Sequence, residues 1–279
     1  MNYGSPFYLL MLFIMIAAVV GLFFLLRGKS ERTKNTVVIS LMLLNIIQHL
    51  FKWAIYPMYE GMGFNVLSTA YNMCATLILL SPIAFFSKGA FWKNFVYPVG
   101  TAAGLVAVAV PYWYIGMSVS ELGWEYARFY ICHALLFISS LLPLLLGLHK
   151  PSFKAIFQPG IGFLFALALM LINDIIFITL GLFGGYDHYD LYSALLKINP
   201  CFSMGAPEEF AWLADLSALF TPKIFLGENT TGLYTPILWY AIPVYIGITL
   251  VAVAVFFSMD KKNLRLAVDN LKSKLKKQK

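Results

Sequence analysis

His49, Lys52, Cys74, His133 and Asp174 are the residues of this chain whose chemistry is out of keeping with their surroundings, because each interrupts a long apolar segment. A thiol served by an imidazole can carry an acyl group, the imidazole taking the thiol proton as sulfur attacks a carbonyl. A lysine and an aspartate can neutralise each other or line a polar pathway, since ionisable groups in hydrocarbon are costly and are usually paired or functional. Asn45, Gln48, His49 and Lys52 are spaced three, one and three, so all four share one face of a helix. Asn72 stands two residues before Cys74, and Asn173 adjoins Asp174. At 1.5 Å per residue from the outer ends of their segments, His133, Lys52 and Cys74 fall roughly 8 to 13 Å deep, and His49 and Asp174 roughly 15 Å. Polar groups from four segments at similar depth predict one cavity in the outer half of a helical bundle. Each residue also has a plain packing role: a buried cysteine is often a small hydrophobe, and an intramembrane histidine is often an interhelical contact. Cys132 is expected to pack on another side of its helix from His133. Three cysteines cannot all pair, and neither their spacing nor that of the histidines is a metal-ligand pattern, so no metal and no cofactor is expected.

The elements that must hold these residues follow from composition. Of 279 residues, 60% are hydrophobic and 12% charged, about half the charged fraction of a soluble domain. Pro6–Leu26, Phe64–Ser87, Phe95–Tyr114, Phe129–Gly147 and Gly232–Met259 lack Asp, Glu, Lys and Arg. Thr36–Tyr59 holds only Lys52, and Ala155–Gly185 only Asp174. Each block approaches or exceeds the roughly 20 residues that span hydrocarbon as a helix, and the ten-residue alternation of a membrane barrel is missing. The predicted fold is an all-α polytopic membrane protein with seven transmembrane helices, N-terminus outside and C-terminus inside. Most of the 20 Lys and Arg fall in the inner loops and tail, and most of the 13 acids in the outer ones, as the positive-inside rule requires. The first span is expected to be retained, because its positive charge follows the apolar run and does not precede it. The net charge of +7 therefore reflects topology, and no nucleic acid is expected as a partner. Residues 1–259 form the seven-helix domain, including an outer segment 184–234 in which Pro207–Phe220 reads as a short helix and Asn229-Thr230-Thr231 matches a glycosylation sequon. Residues 260–279 form a basic cytoplasmic tail whose Leu264, Val268, Leu271 and Leu275 make an amphipathic helix suited to an anionic inner leaflet. The expected location is a membrane, as a multi-pass protein, and the plasma membrane in a bacterial host.

Phe51-Lys52, Tyr71-Asn72-Met73-Cys74, Tyr130-Ile131-Cys132-His133 and Ile198-Asn199-Pro200-Cys201 resemble, in order and spacing, blocks of the integral membrane proteins grouped with bacterial YwaF and eukaryotic transmembrane protein 164. The eukaryotic protein is a phospholipid acyltransferase. The resemblance implies that Cys74 is an acyl-carrying nucleophile with His133 as its partner. The expected substrate-binding set is Asn72, Lys52, His49, Asn173, Asp174 and Asn199, drawn from these blocks and from the polar residues of the outer-half cavity, and the resemblance implies membrane phospholipids or acyl lipids as partners. Eukaryotic members have Pro before and His after the cysteine, where this chain has Met73 and Ala75. Many bacterial members have His where this chain has Asn72. The base must then come from another helix, from His133 or His49.

The expected function is a lipid-directed acyltransferase or related acyl-chain enzyme. The competing expectation is a transporter or lipid- or small-molecule-binding protein in which Lys52, Asp174, His49 and Asn173 line a polar path. A retinal-binding seven-helix protein is disfavoured, since the last span has no lysine for a Schiff base.

Overall fold

Hydrocarbon has no water to satisfy a backbone, so apolar segments of this length must form helices that close their hydrogen bonds internally. The computed structural model describes residues 5–56, 64–111, 124–183, 188–200, 203–204, 212, 216, 219–222 and 241–277, and among them the regular structure is helical, with no strand. In chain order the helices are α1 (Pro6–Leu26), α2 (Glu31–Leu50), the single turn α3 (Lys52–Ile55), α4 (Met73–Phe86), α5 (Ala90–Ala109), α6 (Trp124–Leu145), α7 (Gln158–Thr179), α8 (Leu191–Ile198), α9 (Ala241–Met259) and α10 (Lys261–Lys277). The segments Pro6–Leu26, Trp124–Leu145 and Phe153–Thr179 are long and apolar enough to cross a membrane. The predicted Pro207–Phe220 helix, the sequon and Cys201 lie outside the described residues or almost wholly so.

Local sequence explains the ends. Ser5 accepts from Tyr8 N ahead of Pro6 in α1, and Ser30 accepts from Thr33 N at the start of α2. Both are N-cap serines that satisfy first-turn donors. Pro82 within α4 cannot donate to Ile78 O, and Ser81 Oγ supplies that bond at 2.8 Å, the side-chain substitution by which a membrane helix tolerates proline.

The bundle is centred on α6, whose most apolar window is 67% buried against 17% for α1. Phe13, Ile14, Ile16, Val20 and Phe24 on α1 are exposed, the pattern of a helix facing lipid. The closest helix pair is α5 with α6. A methyl group added to Gly104 would lie 2.7 Å from Phe137 N and 2.8 Å from His133 O. Gly100 and Gly104 are four apart, so one smooth stripe of α5 lets the backbones meet, and packing rather than water exclusion holds them.

Hydrogen bonds identify the two ends of the bundle. Tyr8 OH donates to Ala109 O at 2.7 Å, so the start of α1 lies with the end of α5. At the other end Gly147, at φ 73°, closes α6 in a left-handed turn that favours glycine. The chain doubles back so that His149 Nε2 donates to Asn94 Oδ1 at 2.7 Å, while Asn94 Nδ2 donates to Gln158 Oε1 at 2.7 Å. Asp260, between α9 and α10, accepts from Phe153 N at 3.0 Å and Ser152 Oγ at 3.2 Å. Hydrogen bonds from Asn263 and Phe153 hold its carboxyl below the usual range. Lys88, Lys93, Lys150, Lys154 and the start of α10 therefore share one end, the grouping that the charge pattern predicts.

Burial, then the Lys93 charge, pushes the half-buried His149 down to about 4. Above pH ~6.5 the ring is neutral folded and unfolded; between ~6.5 and ~4 only the unfolded chain takes the proton, so stability falls as pH falls through that window. Discounted for solvent screening, the loss is about 1–2 kcal/mol. The thermal midpoint in detergent, followed from pH 7.5 to 4.5, should drop less for His149→Gln, which keeps a donor for Asn94, than for the wild type; parallel curves would refute this.

Candidate active site

The segment 64–72 precedes α4, and here the structure departs from a continuous third span over Phe64–Ser87. Apart from a 3-10 turn at Val66–Ser68, the backbone is irregular until Met73. Irregular backbone at membrane depth must be sheltered and supplied with hydrogen bonds by protein. The polar face of α2 does this. His49 Nε2 donates to Thr69 O at 3.0 Å, and Lys52 Nζ donates to Leu67 O. The His49 ring also stacks on Tyr71 at 6.5 Å, and the Lys52 ammonium lies 5.3 Å from the same ring, within cation–π range. Lys52 is 2% exposed, so its ammonium is held by protein groups and not by water.

The other half of that face joins α2 to α6. Tyr56 OH donates to Gln48 Oε1 at 2.8 Å, Gln48 Nε2 to Asn45 Oδ1 at 2.6 Å, and Asn45 Nδ2 to Cys132 O at 3.1 Å. Cys132 is buried. Arg128, also buried, pairs with Glu125, Nε to Oε2 at 2.6 Å, near enough to Lys52 for their charges to interact.

Asn72 Oδ1 accepts from Ala75 N at 2.9 Å and caps α4. Cys74 is thereby the second residue of that helix, half-buried. The positive end of a helix dipole favours a thiolate over a thiol. His133 lies on α6, which packs against α4. Its Nδ1 faces Phe129 O at 2.8 Å. A carbonyl only accepts, so Nδ1 carries the proton and Nε2 presents a lone pair in the neutral ring. The same reasoning leaves Nδ1 of His49 as its lone-pair nitrogen.

Asn173 Nδ2 bridges Thr69 Oγ1 at 3.0 Å and Asp174 Oδ1 at 3.1 Å. Asp174 is fully buried on the core-facing side of α7 with Met170 and Ile178, and its Oδ2 has no hydrogen-bond partner among the described residues. Lys52 and Asp174 thus flank the 64–72 segment, and no ion pair joins them; Arg128–Glu125 is the pair among the described residues. Asn199 ends α8 at φ 43°, and its Oδ1 accepts from Met204 N at 2.8 Å. Tyr71 and Cys132 stood in the family-like blocks with no polar role assigned to them; Thr69, Tyr56 and Arg128 join the polar assembly without having been singled out from sequence. Glu125 and Arg128, three apart beside an apolar run, were the one local signal for any of them.

The TMEM164 family model matches the chain over residues 3–260. No curated protein and no solved structure matches it.

If Lys52 stabilises the 64–72 backbone and is not the partner of Asp174, Lys52→Met should cost about 1–3 kcal/mol through the donor lost to Leu67 O. Its effect should add to that of Asp174→Asn within about 0.5 kcal/mol. Thermal midpoints of the two single variants and the double variant measure the coupling; a coupling above about 1 kcal/mol would mean a direct pair after all.

Proposed function

Because the chain belongs to the TMEM164 family, we propose that it is an integral membrane acyltransferase acting on phospholipid-type substrates, with Cys74 as nucleophile and His133 as general base. The observation that carries the reading is the position of Cys74, half-buried in the first turn of α4 directly after an irregular, hydrogen-bonded segment. There the helix dipole favours the thiolate. The lone pair on His133 Nε2 accepts the thiol proton as Sγ attacks the ester carbonyl of a donor lipid. The tetrahedral oxyanion is stabilised at the positive end of α4. It collapses with cleavage of the ester C–O bond, and the imidazolium returns its proton to the departing lysolipid alkoxide. An acceptor lipid hydroxyl then gives its proton to the same nitrogen, attacks the thioester and releases the thiol. Asn72 shapes the start of α4, and His49, Lys52, Asn173 and Asp174 hold or border the segment before it. Asn199 belongs to the substrate-binding set on the family resemblance alone.

A second reading, transport or binding of a cation or proton, is favoured by the buried Asp174 carboxyl with its unpartnered Oδ2. In either case the chain crosses the membrane seven times with its N-terminus outside, a reading supported by the grouping of basic turns at one end. A reporter fused after Lys279 should report the inner side, and an outward signal would reverse the orientation.

The acyl-enzyme test is direct. With an activated acyl-lipid probe, Cys74→Ala should abolish thioester labelling, and His133→Ala should slow it by about 10²-fold or more. Cys132→Ala, which removes the buried thiol, should leave labelling within a few-fold. Undiminished lipid remodelling by a well-folded Cys74→Ala variant would end the mechanism and turn preference to the Asp174 reading.

A further inference from the structure

The junction of α9 and α10 lies at the opposite end of the bundle from Cys74 and has no part in the acyl chemistry. The two helices turn by 113° about Asp260, so α10 runs nearly perpendicular to α9 and across the end of the bundle. The turn is anchored. Asp260 accepts from Ser152 and Phe153 in the α6–α7 connection, and from Asn263 in the first turn of α10. At this elbow Lys261, Lys262, Arg265 and Leu266 line an open, mainly apolar concavity of about 510 Å³.

The charge there is out of balance. Lys261 and Lys262 occupy the first turn of α10, where the helix dipole is already positive and cations are unfavourable. Arg265 is four and three residues on, so all three cations share one face and repel one another. All three are exposed. Asp260, the acid beside them in sequence, has its carboxyl engaged by the contacts just described. A helix start that gathers cations is suited to an anion with several acceptor oxygens, above all a phosphate. Leu266 and the methylene stems of the lysines add an apolar lining, which a free phosphate has no use for. A lipid does: its headgroup phosphate would meet the cations while its glycerol and upper chains meet Leu266.

We propose that this elbow is a binding site for the phosphate headgroup of an anionic membrane phospholipid, in the leaflet at the basic end of the bundle. Lys261, Lys262 and Arg265 hold the phosphate, Leu266 supports the lipid body, and the Asp260 anchor fixes the angle at which the site meets the membrane surface. The site is more than a general attraction of the tail to negative charge, because the cations at its start are gathered on one concavity.

The test uses the purified full chain in detergent, titrated with dioleoyl phosphatidylglycerol or dioleoyl phosphatidylcholine and read by native mass spectrometry as lipid retained. The wild type should retain phosphatidylglycerol preferentially. Replacing Lys261, Lys262 and Arg265 together by Gln should weaken that retention by on the order of 10²-fold, and Arg265→Gln alone by about 5-fold. Neutralising Lys274, Lys276 and Lys277, the same number of charges further along α10, should change it less than 3-fold. The single Arg265 variant decides the matter if the triple variant fails to fold. Equal losses from both triple variants, or equal retention of the two lipids by the wild type, would overturn the site in favour of diffuse attraction. Displacement by glycerol phosphate at matching concentration would reassign it to a soluble phosphate.

Discussion

The arrangement depends on supplying hydrogen bonds to a stretch of backbone that is not helical. Residues 65–72 offer carbonyl groups at a depth where hydrocarbon cannot satisfy them, and each unmet group would cost several kcal/mol. Lys52 and His49 answer Leu67 O and Thr69 O, and the hydroxyl of Thr69 donates to Val66 O within the segment itself. With the segment held in this form, α4 begins only at Met73, and Cys74 comes to lie at a helix N-terminus and not within a helix. The reactivity proposed for the thiol is thus a consequence of how its neighbours are hydrogen-bonded.

The same interaction assigns the four polar residues of α2 to two tasks. Asn45 and Gln48 bond sideways to α6, ending on Cys132 O, while His49 and Lys52 bond forward to the 64–72 segment. Residues three and four apart on a helix share a broad face, yet that face is wide enough to meet two neighbours. A single polar stripe can therefore join one helix pair and support an adjoining loop without marking a channel. Asp174 differs, since one of its oxygens remains without a hydrogen bond among the described residues although the side chain is fully buried. That leaves its carboxyl in an environment that packing does not explain.

At the opposite end the design is stapled. The His149–Asn94–Gln158 chain draws α5, α7 and the α6–α7 connection together, and Asp260 ties that connection to the α9–α10 elbow. Between the two ends, Gly100 and Gly104 let α5 approach α6 until a single methyl group would strike backbone. The bundle thus combines polar staples at its ends with close backbone packing at its waist, where apolar side chains alone gain little over lipid.

Much of this was legible in the residues themselves. Length and hydrophobicity dictate membrane helices, because burying a helix-length apolar run in hydrocarbon is favourable whatever its neighbours. The placing of Lys and Arg dictates which turns share an end. The spacing of Asn45, Gln48, His49 and Lys52 dictates one face. The family blocks around Cys74 and His133 drew attention to helices that do pack together. What could not be read was the break before Met73, since Phe64–Ser87 is apolar throughout and hydropathy does not distinguish helix from sheltered loop. Nor could the partners of the polar groups be read: Lys52 and Asp174 look complementary in sequence, but a charged side chain bonds to whichever acceptor its fold brings within 3 Å, and here that was a carbonyl. Thr69 carries no signal, and Tyr71 and Cys132 no sign of their polar partners, until helices from distant parts of the chain close around them, because their role is set by position in three dimensions and not by residue type.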